Sequence, residues 1–269
     1  MKLLALLLPL ALSAAASAAP VVIANPGFED LYLGSNLPPQ YAGDVPTGAF
    51  PTGPPPAGWT AWYETGGPQG GEFLGVLNPG TSADHAPDPA CFPAGAPEGD
   101  NVVLLYQDGD SGGQEYGVEQ DLGVALAART TYTLTVEVGD IASCAGLVVP
   151  YTSFFDLSGF PGYRVQLLAG GVVVAEDDDT LSPGDGVFTP TTLVHHSGTN
   201  PSQLGQTLSI RLVTKNQPDV AGVSGLEVDF DDVTLDASPS IGVVPIPPAA
   251  LLPLGALLLA IGVAASRRA

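Results

Sequence analysis

The chain has 269 residues, of which 28 are acidic and only 7 are lysine or arginine, so its formal net charge at pH 7 is −21. A surface this acidic repels nucleic acids, phosphates and anionic lipid head groups, which excludes nucleic-acid binding. It suits cations, above all Ca²⁺ outside the cell, and neutral ligands; a role in solubility or adaptation to salt would explain the charge equally well.

The N-terminus has the pattern of a secretory signal peptide. Lys2 precedes an apolar run over residues 3–12, and an Ala-Ser-Ala sequence follows at residues 16–18. A charged start, a short apolar stretch and an A-x-A cleavage site are typical of export signals. We therefore predict that residues 1–19 are removed when the protein is exported.

Two long segments rich in proline and glycine, residues 34–58 and 79–99, follow in the first half of the chain. Loops of this length are uncommon in compact domains and are usually functional. Trp59, Trp62 and Tyr63 come directly after the first loop, and exposed aromatic rings can stack on sugar rings. These three residues are candidate carbohydrate-binding residues; the alternative is that either tryptophan belongs to the core.

Cys91 and Cys144 are the only cysteines. Two cysteines of an exported protein usually pair in an oxidising compartment, so we predict a disulfide between them. On the chain-entropy model, closing a loop of this length stabilises the fold by about 4 kcal/mol. No Cys/His cluster supports a zinc site.

From residue 101 onward the sequence reads as short strands separated by Gly, Pro and Asp turns. Apolar and polar residues alternate over residues 132–138, which indicates a half-buried strand. The pair Gly170-Gly171 separates two further strand-like runs and suits a two-residue hairpin turn. About ten strands without helical periodicity predict an all-β sandwich or barrel over residues 20–237.

Two remote segments resemble the first and last strands of jelly-roll, galactose-binding-like domains, a group that includes many carbohydrate-binding modules. They are Asn-Pro-Gly-Phe-Glu at residues 25–29 and Val-Asp-Phe-Asp-Asp-Val-Thr-Leu at residues 228–235. The resemblance implies a single jelly-roll β-sandwich in which the two end strands lie close together. It also implies that an acidic residue from each end strand helps to hold a structural Ca²⁺.

Strand alternation leads independently to a metal site. If Val233 and Leu235 face the core, Asp231 lies on the same inward side. A buried carboxylate without a partner is unfavourable, and a Ca²⁺ bound by carboxylate and backbone oxygens removes that penalty. Glu29 is then the natural second ligand and Asp232 a further candidate. The alternative is that Asp231 accepts backbone hydrogen bonds at the end of its strand.

The C-terminus has three parts: a proline-containing motif, an apolar run and a basic tip. The run over residues 249–265 is just long enough for one transmembrane helix, and Arg267 and Arg268 would hold its end in the cytoplasm. The motif consists of Val244, Pro245, Ile246, Pro247, Pro248 and Ala249.

This pattern resembles the VPLPA variant of the PEP-CTERM surface-sorting signal, from which it departs by Ile246 in place of leucine and by the additional Pro248. The resemblance implies that residues 238–269 form a linker and sorting signal. It further implies that an exosortase-type membrane peptidase cuts the tail, and that the protein accompanies exopolysaccharide. A plain membrane anchor is the alternative.

No catalytic signature such as G-x-S-x-G or H-E-x-x-H is present, so the sequence predicts no enzyme. We expect an exported, non-catalytic protein of the cell surface or extracellular matrix that binds carbohydrate, anchored in the inner membrane before processing. A purely structural or adhesive surface protein without a ligand is the alternative, and a polysaccharide hydrolase is a third.

Overall fold

The computed structural model describes residues 18–30, 45–108, 113–147, 152–157, 159–217 and 225–240. The chain divides into two units, Met1–Pro239 and Ser240–Ala269, and the fold below belongs to the first. The predicted sorting motif and transmembrane helix, and all but the last two residues of the predicted signal peptide, lie outside the described residues and stay predictions. In the described part of the chain, no helix has the length and apolar character needed to span a bilayer.

Two antiparallel sheets form the domain, with strands numbered along the chain. In spatial order, the larger sheet contains β11 (Val187–His196), β6 (Thr130–Asp140), β13 (Gly225–Pro239), β4 (Val102–Asp108) and β3 (Glu72–Leu77), with β1 (Ala19–Pro20) beside β13. The smaller sheet contains β10 (Val172–Asp178), β9 (Tyr163–Ala169), β12 (Thr207–Thr214), β5 (Tyr116–Ala125) and β2 (Thr60–Tyr63). A short hairpin, β7 (Cys144–Ala145) with β8 (Phe154–Phe155), and one helical turn, α1 (Ser82–His85), lie in the loops. The predicted all-β sandwich is confirmed.

The main core lies between the two sheets. The sequence of β6 alternates between residues that face this core and residues that face away from it. Its even-numbered residues Leu134, Val136 and Val138 are buried in this core, whereas Thr135 and Glu137 between them are only half-buried on the other face. Alternation of this kind is typical of a strand that packs one apolar face against a core and turns a more polar face away from it.

Strand β13 carries a β-bulge that changes which residues face the core. Its pairing with β6 shifts between Asp231 and Thr234, and Asp232 adopts a positive φ of 45°. Phe230 before the bulge and Val233 after it both lie in the main core. Asp231 instead shares the outer face of the sheet with Glu137, its partner on β6. The prediction that Asp231 lies on the inward side with Val233 is wrong, because the bulge adds one residue between them.

A second, smaller core covers the outer face of the larger sheet. Leu77 and Leu104 of the sheet pack there against Phe92 of the loop over residues 79–99 and against Leu157, which lies between β8 and β9. The loop cysteines Cys91 and Cys144 are joined by a buried disulfide with a Cα–Cα distance of 4.8 Å, the pairing that the sequence predicts. The part of the sheet around Leu77 and Leu104 is thus buried on both faces.

Candidate active site

A cavity of about 440 Å³ lies between the outer face of the larger sheet and the loops that cover it. Leu104, Tyr106 and Glu227 of β4 and β13 form part of its floor, and the Cys91–Cys144 disulfide forms part of its wall. Its volume falls in the range of pockets that enclose a small organic ligand. The two long proline-rich loops therefore frame a binding site.

Aromatic rings line two sides of this cavity. Phe73 and Tyr106 lie on neighbouring strands with their ring centroids 5.6 Å apart, and Phe50 meets Phe155 edge to face at 5.1 Å. Such pairs hold their rings in fixed orientations because their quadrupoles favour offset or edge-to-face contacts. The lining suits a flat, apolar ligand.

Three carboxyl groups lie in a row on the outer face of β13. Glu227, Asp229 and Asp231 are all buried, and they alternate with residues that face the main core. Glu227 is paired across the sheet with Tyr106, and Asp229 with Leu104, so both carboxyls belong to the floor beneath the loops. Only the Glu227 side chain of these two lines the cavity itself, and Asp229 lies behind it.

The carboxyls of Glu227 and Asp229 lie within direct interaction range of each other, and each shifts the pKa of its neighbour. Neither oxygen of Asp229 receives a hydrogen bond from any group among the described residues. Two buried carboxyls in contact avoid two adjacent negative charges by holding one proton between them. Burial raises the pKa of both groups, and the charge of Glu227 raises the pKa of Asp229 further. The cavity floor thus carries an acid that retains its proton where an exposed carboxyl would have lost it.

Tyr106 lies beside this acid and is held there by a glycine. A Cβ atom on Gly225 would come within 2.6 Å of the Tyr106 ring and 2.8 Å of its hydroxyl, so only glycine allows the ring to rest on β13. Burial raises the pKa of Tyr106, and the charges of Asp108 and Glu227 raise it further. The phenol therefore stays protonated and neutral.

The residues predicted to bind carbohydrate do not form one surface. Trp59 is buried in the main core against Phe28, with ring centroids 5.3 Å apart, so the core alternative holds for it. Trp62 lies on the outer face of the smaller sheet with the guanidinium of Arg211 4.3 Å above its ring. Tyr63 packs partly buried against the core. The three rings cannot contact one ligand together.

Two of the three residues predicted to hold a metal, Glu29 and Asp231, converge on one segment, residues 98–101. Glu29 accepts hydrogen bonds from the backbone N–H groups of residues 100 and 101, and Asp231 accepts one from the N–H of Glu98. The second oxygen of Asp231 is buried and has no hydrogen-bond partner in the part of the chain that the structure describes, whereas Asp232 is exposed at the bulge. In the described ranges, no group of three or more His, Cys, Asp or Glu side chains is arranged to hold a metal ion.

Sequence reasoning missed the acid pair, Tyr106 and Asp108. The signal was present in the order Glu-Val-Asp-Phe-Asp of residues 227–231, which places three carboxyls on one face of a strand and two apolar side chains on the other. Only burial of both faces makes those carboxyls unusual, and the sequence of one strand does not reveal that the loops cover its outer face.

Comparison with known proteins points to cyclases. The family model described as HpiC1-like, HpiC1 cyclase, matches residues 19–236. The Stig cyclase Fisc from Fischerella sp. TAU, crystallised with (3Z)-3-(1-methyl-2-pyrrolidinylidene)-3H-indole, is 32% identical with a TM-score of 0.62, covering 83% of this chain and 100% of that one. An apo cyclase from Fischerella sp. is 34% identical with a TM-score of 0.61, covering 83% and 98%. No curated protein matches the chain significantly.

A further structure of a cyclase from Fischerella sp. TAU, in complex with 4-(1H-indol-3-yl)butan-2-one, is 32% identical with a TM-score of 0.60 and covers 83% of this chain and 99% of that one. These matches extend over nearly the whole sandwich. The expectation of a non-catalytic protein that binds carbohydrate is therefore wrong, because the matching family and its solved members are enzymes. The absence of a catalytic motif misled the sequence argument, since the acid lies on a buried strand rather than in a signature loop.

Proposed function

The chain belongs to the HpiC1-like cyclase family, and from this membership we propose that it catalyses an acid-promoted cyclisation of an indole-type substrate in the cavity above β13. The observation that carries the proposal is the buried pair of carboxyls, Glu227 and Asp229, at the floor of an aromatic-lined cavity, where burial raises the pKa of both groups. We also assign the sandwich a jelly-roll topology, because successive strands alternate between the sheets from β4 through β5 to β6 and from β11 through β12 to β13.

An indole ring fits the walls of this cavity. Two of the cyclase structures that resemble the chain contain indole compounds. The paired rings of Phe73 with Tyr106, and of Phe50 with Phe155, offer flat apolar faces on which a bicyclic aromatic ring can stack. The substrate class is therefore an indole that carries an unsaturated side chain able to accept a proton.

Glu227 acts as the general acid. Its carboxyl lines the cavity and can donate the shared proton to a carbon–carbon double bond, which leaves a carbocation on the substrate. Both carboxyls are then anionic, and the adjacent cation offsets the cost of two buried charges. Aromatic faces stabilise the cation further, and the covering loops exclude the water that would otherwise quench it. The indole ring then attacks the cation and closes the new ring.

Substitution of Glu227 tests this mechanism. The assay uses an indole whose β-carbon carries a homoprenyl chain, in which a two-carbon tether joins the ring to a trisubstituted alkene. We expect the native protein to convert this probe into an isomeric, ring-closed product. Glu227→Gln keeps the size of the side chain but removes the proton, so kcat should fall by roughly 100-fold or more, the usual effect of losing a general acid.

The matched control is Asp121→Asn, a substitution at an exposed position on β5 that should leave kcat unchanged. Melting curves of both variants check that the fold is retained. Ring closure by Glu227→Gln at the rate of the native protein would refute the assigned acid.

We further propose that a structural Ca²⁺ binds where the N-terminal segment meets β13. A Cβ on Gly27 would lie 1.9 Å from a carboxylate oxygen of Glu98 and 3.6 Å from the unpartnered oxygen of Asp231, so these two carboxyls approach the same point. Oxygen ligands of this kind suit Ca²⁺. Asp231 and Glu98 would hold the ion, while Glu29 fixes the segment that carries Glu98. The ion would supply positive charge that connects β13 to the segment carrying Glu98, which Glu29 joins to the N-terminal segment. It takes no part in the chemistry.

A further inference from the structure

We propose that Asp108 is a second catalytic residue of the cavity: the base that removes the proton from the ring carbon at which the substrate closes. This assignment rests on the proposed acid-promoted cyclisation and names the residue that completes it.

The need for a base follows from the proton balance of the reaction. Cyclisation is an isomerisation, so each proton that enters the substrate must leave it again. The alkene carbon gains a proton, the indole α-carbon forms the new carbon–carbon bond, and that same α-carbon must then lose its hydrogen to restore the aromatic ring. The carbon that loses the proton is not the carbon that gained it. An acceptor is therefore required at a second position in the cavity.

Asp108 occupies such a position. Among the described residues that line the cavity, Glu227 and Asp108 carry the carboxyl groups. Asp108 is paired across the sheet with Gly225, whereas Glu227 is paired with Tyr106, so the two acids are diagonal neighbours on adjacent strands. Diagonal neighbours in a sheet are about 7–8 Å apart. The two carboxyls therefore face the substrate from different points.

Tyr106 lies between the two acids but cannot serve as the base. Its hydroxyl rests over Gly225, the residue paired with Asp108. Burial and the two neighbouring carboxyls raise the pKa of the phenol, so it keeps its own proton and is not the anionic base that the step requires. A neutral phenol in this place can orient the substrate against Asp108, and the proton must go to the carboxylate.

The two acids also differ in their solvent exposure, which suits them to different roles. Glu227 is buried, whereas Asp108 is half-buried at the end of β4. In the proposed step an oxygen of Asp108 takes the proton from the indole α-carbon, and the electron pair of the broken C–H bond returns to the ring. Asp108 then passes the proton to water, and the Glu227–Asp229 pair regains one from water. The step needs neither an oxidant nor a reductant.

The test uses the same homoprenyl indole with hydrogen or deuterium at its α-carbon. With the native protein we expect no primary isotope effect, because protonation of the alkene is the slow step. Asp108→Asn should lower kcat by roughly 100-fold with little change in KM, and removal of the α-carbon deuterium should become rate-limiting, giving a primary isotope effect. A structural role would not produce this isotope effect. Asp108→Glu, which keeps a carboxylate, should restore part of the rate and abolish the isotope effect.

The control is again Asp121→Asn, which should behave as the native protein. If the native protein does not close the ring, or if Glu227→Gln closes it equally fast, the proposed function fails and the assignment of Asp108 falls with it. If those two proteins behave as expected but Asp108→Asn reacts at the native rate without an isotope effect, the role of Asp108 alone is overturned.

Discussion

At the scale of single residues, the chemistry of the cavity depends on two buried carboxyls that lie against each other. Glu227 and Asp229 are two positions apart on one face of β13, and among the residues that the structure describes no group donates a hydrogen bond to either oxygen of Asp229. Were both ionised, two like charges would meet in a site from which water is excluded. Sharing one proton removes that repulsion, and the same proton is available to a substrate above Glu227.

The pair makes a pH-dependent prediction. The active form of Glu227 is protonated, and its pKa is raised, so activity should persist to higher pH than an exposed glutamate would allow and fall as pH rises through the raised pKa. Asp229→Asn removes the second titratable carboxyl, so ionisation of Glu227 no longer leaves two adjacent anions. This stabilises the anion and lowers the pKa of Glu227. The alkaline decline of kcat should therefore move to lower pH in the variant.

Profiles of kcat against pH for the native protein and Asp229→Asn give the measurement, with Asp121→Asn as the unchanged reference. An alkaline decline at the same pH in all three proteins would show that Asp229 does not control the acid.

At the scale of elements, the disulfide connects the loops that cover the cavity. Cys91 belongs to the loop over residues 79–99 and Cys144 to the short strand β7, and both half-cystines line the cavity wall. Phe92 and Leu157 pack beside the bond in the second core. The bond therefore limits how far these loops can separate, and it is one that oxidising compartments maintain.

Removal of the disulfide should weaken both the fold and the site. In the double variant Cys91→Ser with Cys144→Ser, the unfolding free energy should fall by about 4 kcal/mol, as expected for a closed loop of this length. Affinity for 4-(1H-indol-3-yl)butan-2-one, measured by calorimetry below the melting temperature, should fall as well, because the covering loops are no longer joined. Reduction of the native protein by dithiothreitol should reproduce both changes. An unchanged affinity would mean that the disulfide stabilises the domain without shaping the cavity.

The strands and turns also show how much of the structure could be predicted from the sequence. Alternation in β6 and the Gly170-Gly171 turn between β9 and β10 are local signals, and both features lie where the sequence places them. The side of Asp231 could not be predicted, because the bulge at Asp232 reverses the alternation, and a bulge depends on the partner strand. Glu227 could not be recognised as an acid, because its environment is made by loops distant in sequence.

At the scale of the whole molecule, the two sheets neutralise their acidic residues in different ways. The basic side chains that form ion pairs in the described part of the chain, Arg164, Arg211 and Lys215, all belong to β9, to β12 or to the residue that follows β12. Their partners include Glu115, Glu119 and Asp178. The buried acids of β13 in the larger sheet rely instead on protons, on backbone N–H groups and, we propose, on a cation.

This difference leads to a prediction on stability. Burial raises the pKa of Asp231 to about 8. Hydrogen bonds from the backbone of Glu98 and Asp232 act in the opposite direction but are the weaker effect. An unfolded aspartate has a pKa of about 4. Without a metal, the folded state binds the proton more tightly, so this contribution to stability is fully present below pH of about 4 and is lost as pH rises through about 8. Ca²⁺ binds the ionised carboxylate and should therefore stabilise the protein more as pH rises.

Melting temperatures with excess Ca²⁺ and with chelator, at pH about 6 and about 8.5, measure this effect on either side of the raised pKa. At a hundredfold excess over Kd the ion should add about 2.7 kcal/mol, which raises the melting temperature of a domain of this size by roughly 5–10 °C. The difference should be larger at the higher pH. Asp231→Asn and Glu98→Gln should each remove most of it, while Asp236→Asn, an exposed position on the same strand, should leave it intact. If the chelator leaves the melting temperature unchanged at both pH values, no ion is bound. Asp231 is then a protonated carboxyl that holds residues 98–101 by hydrogen bonding alone.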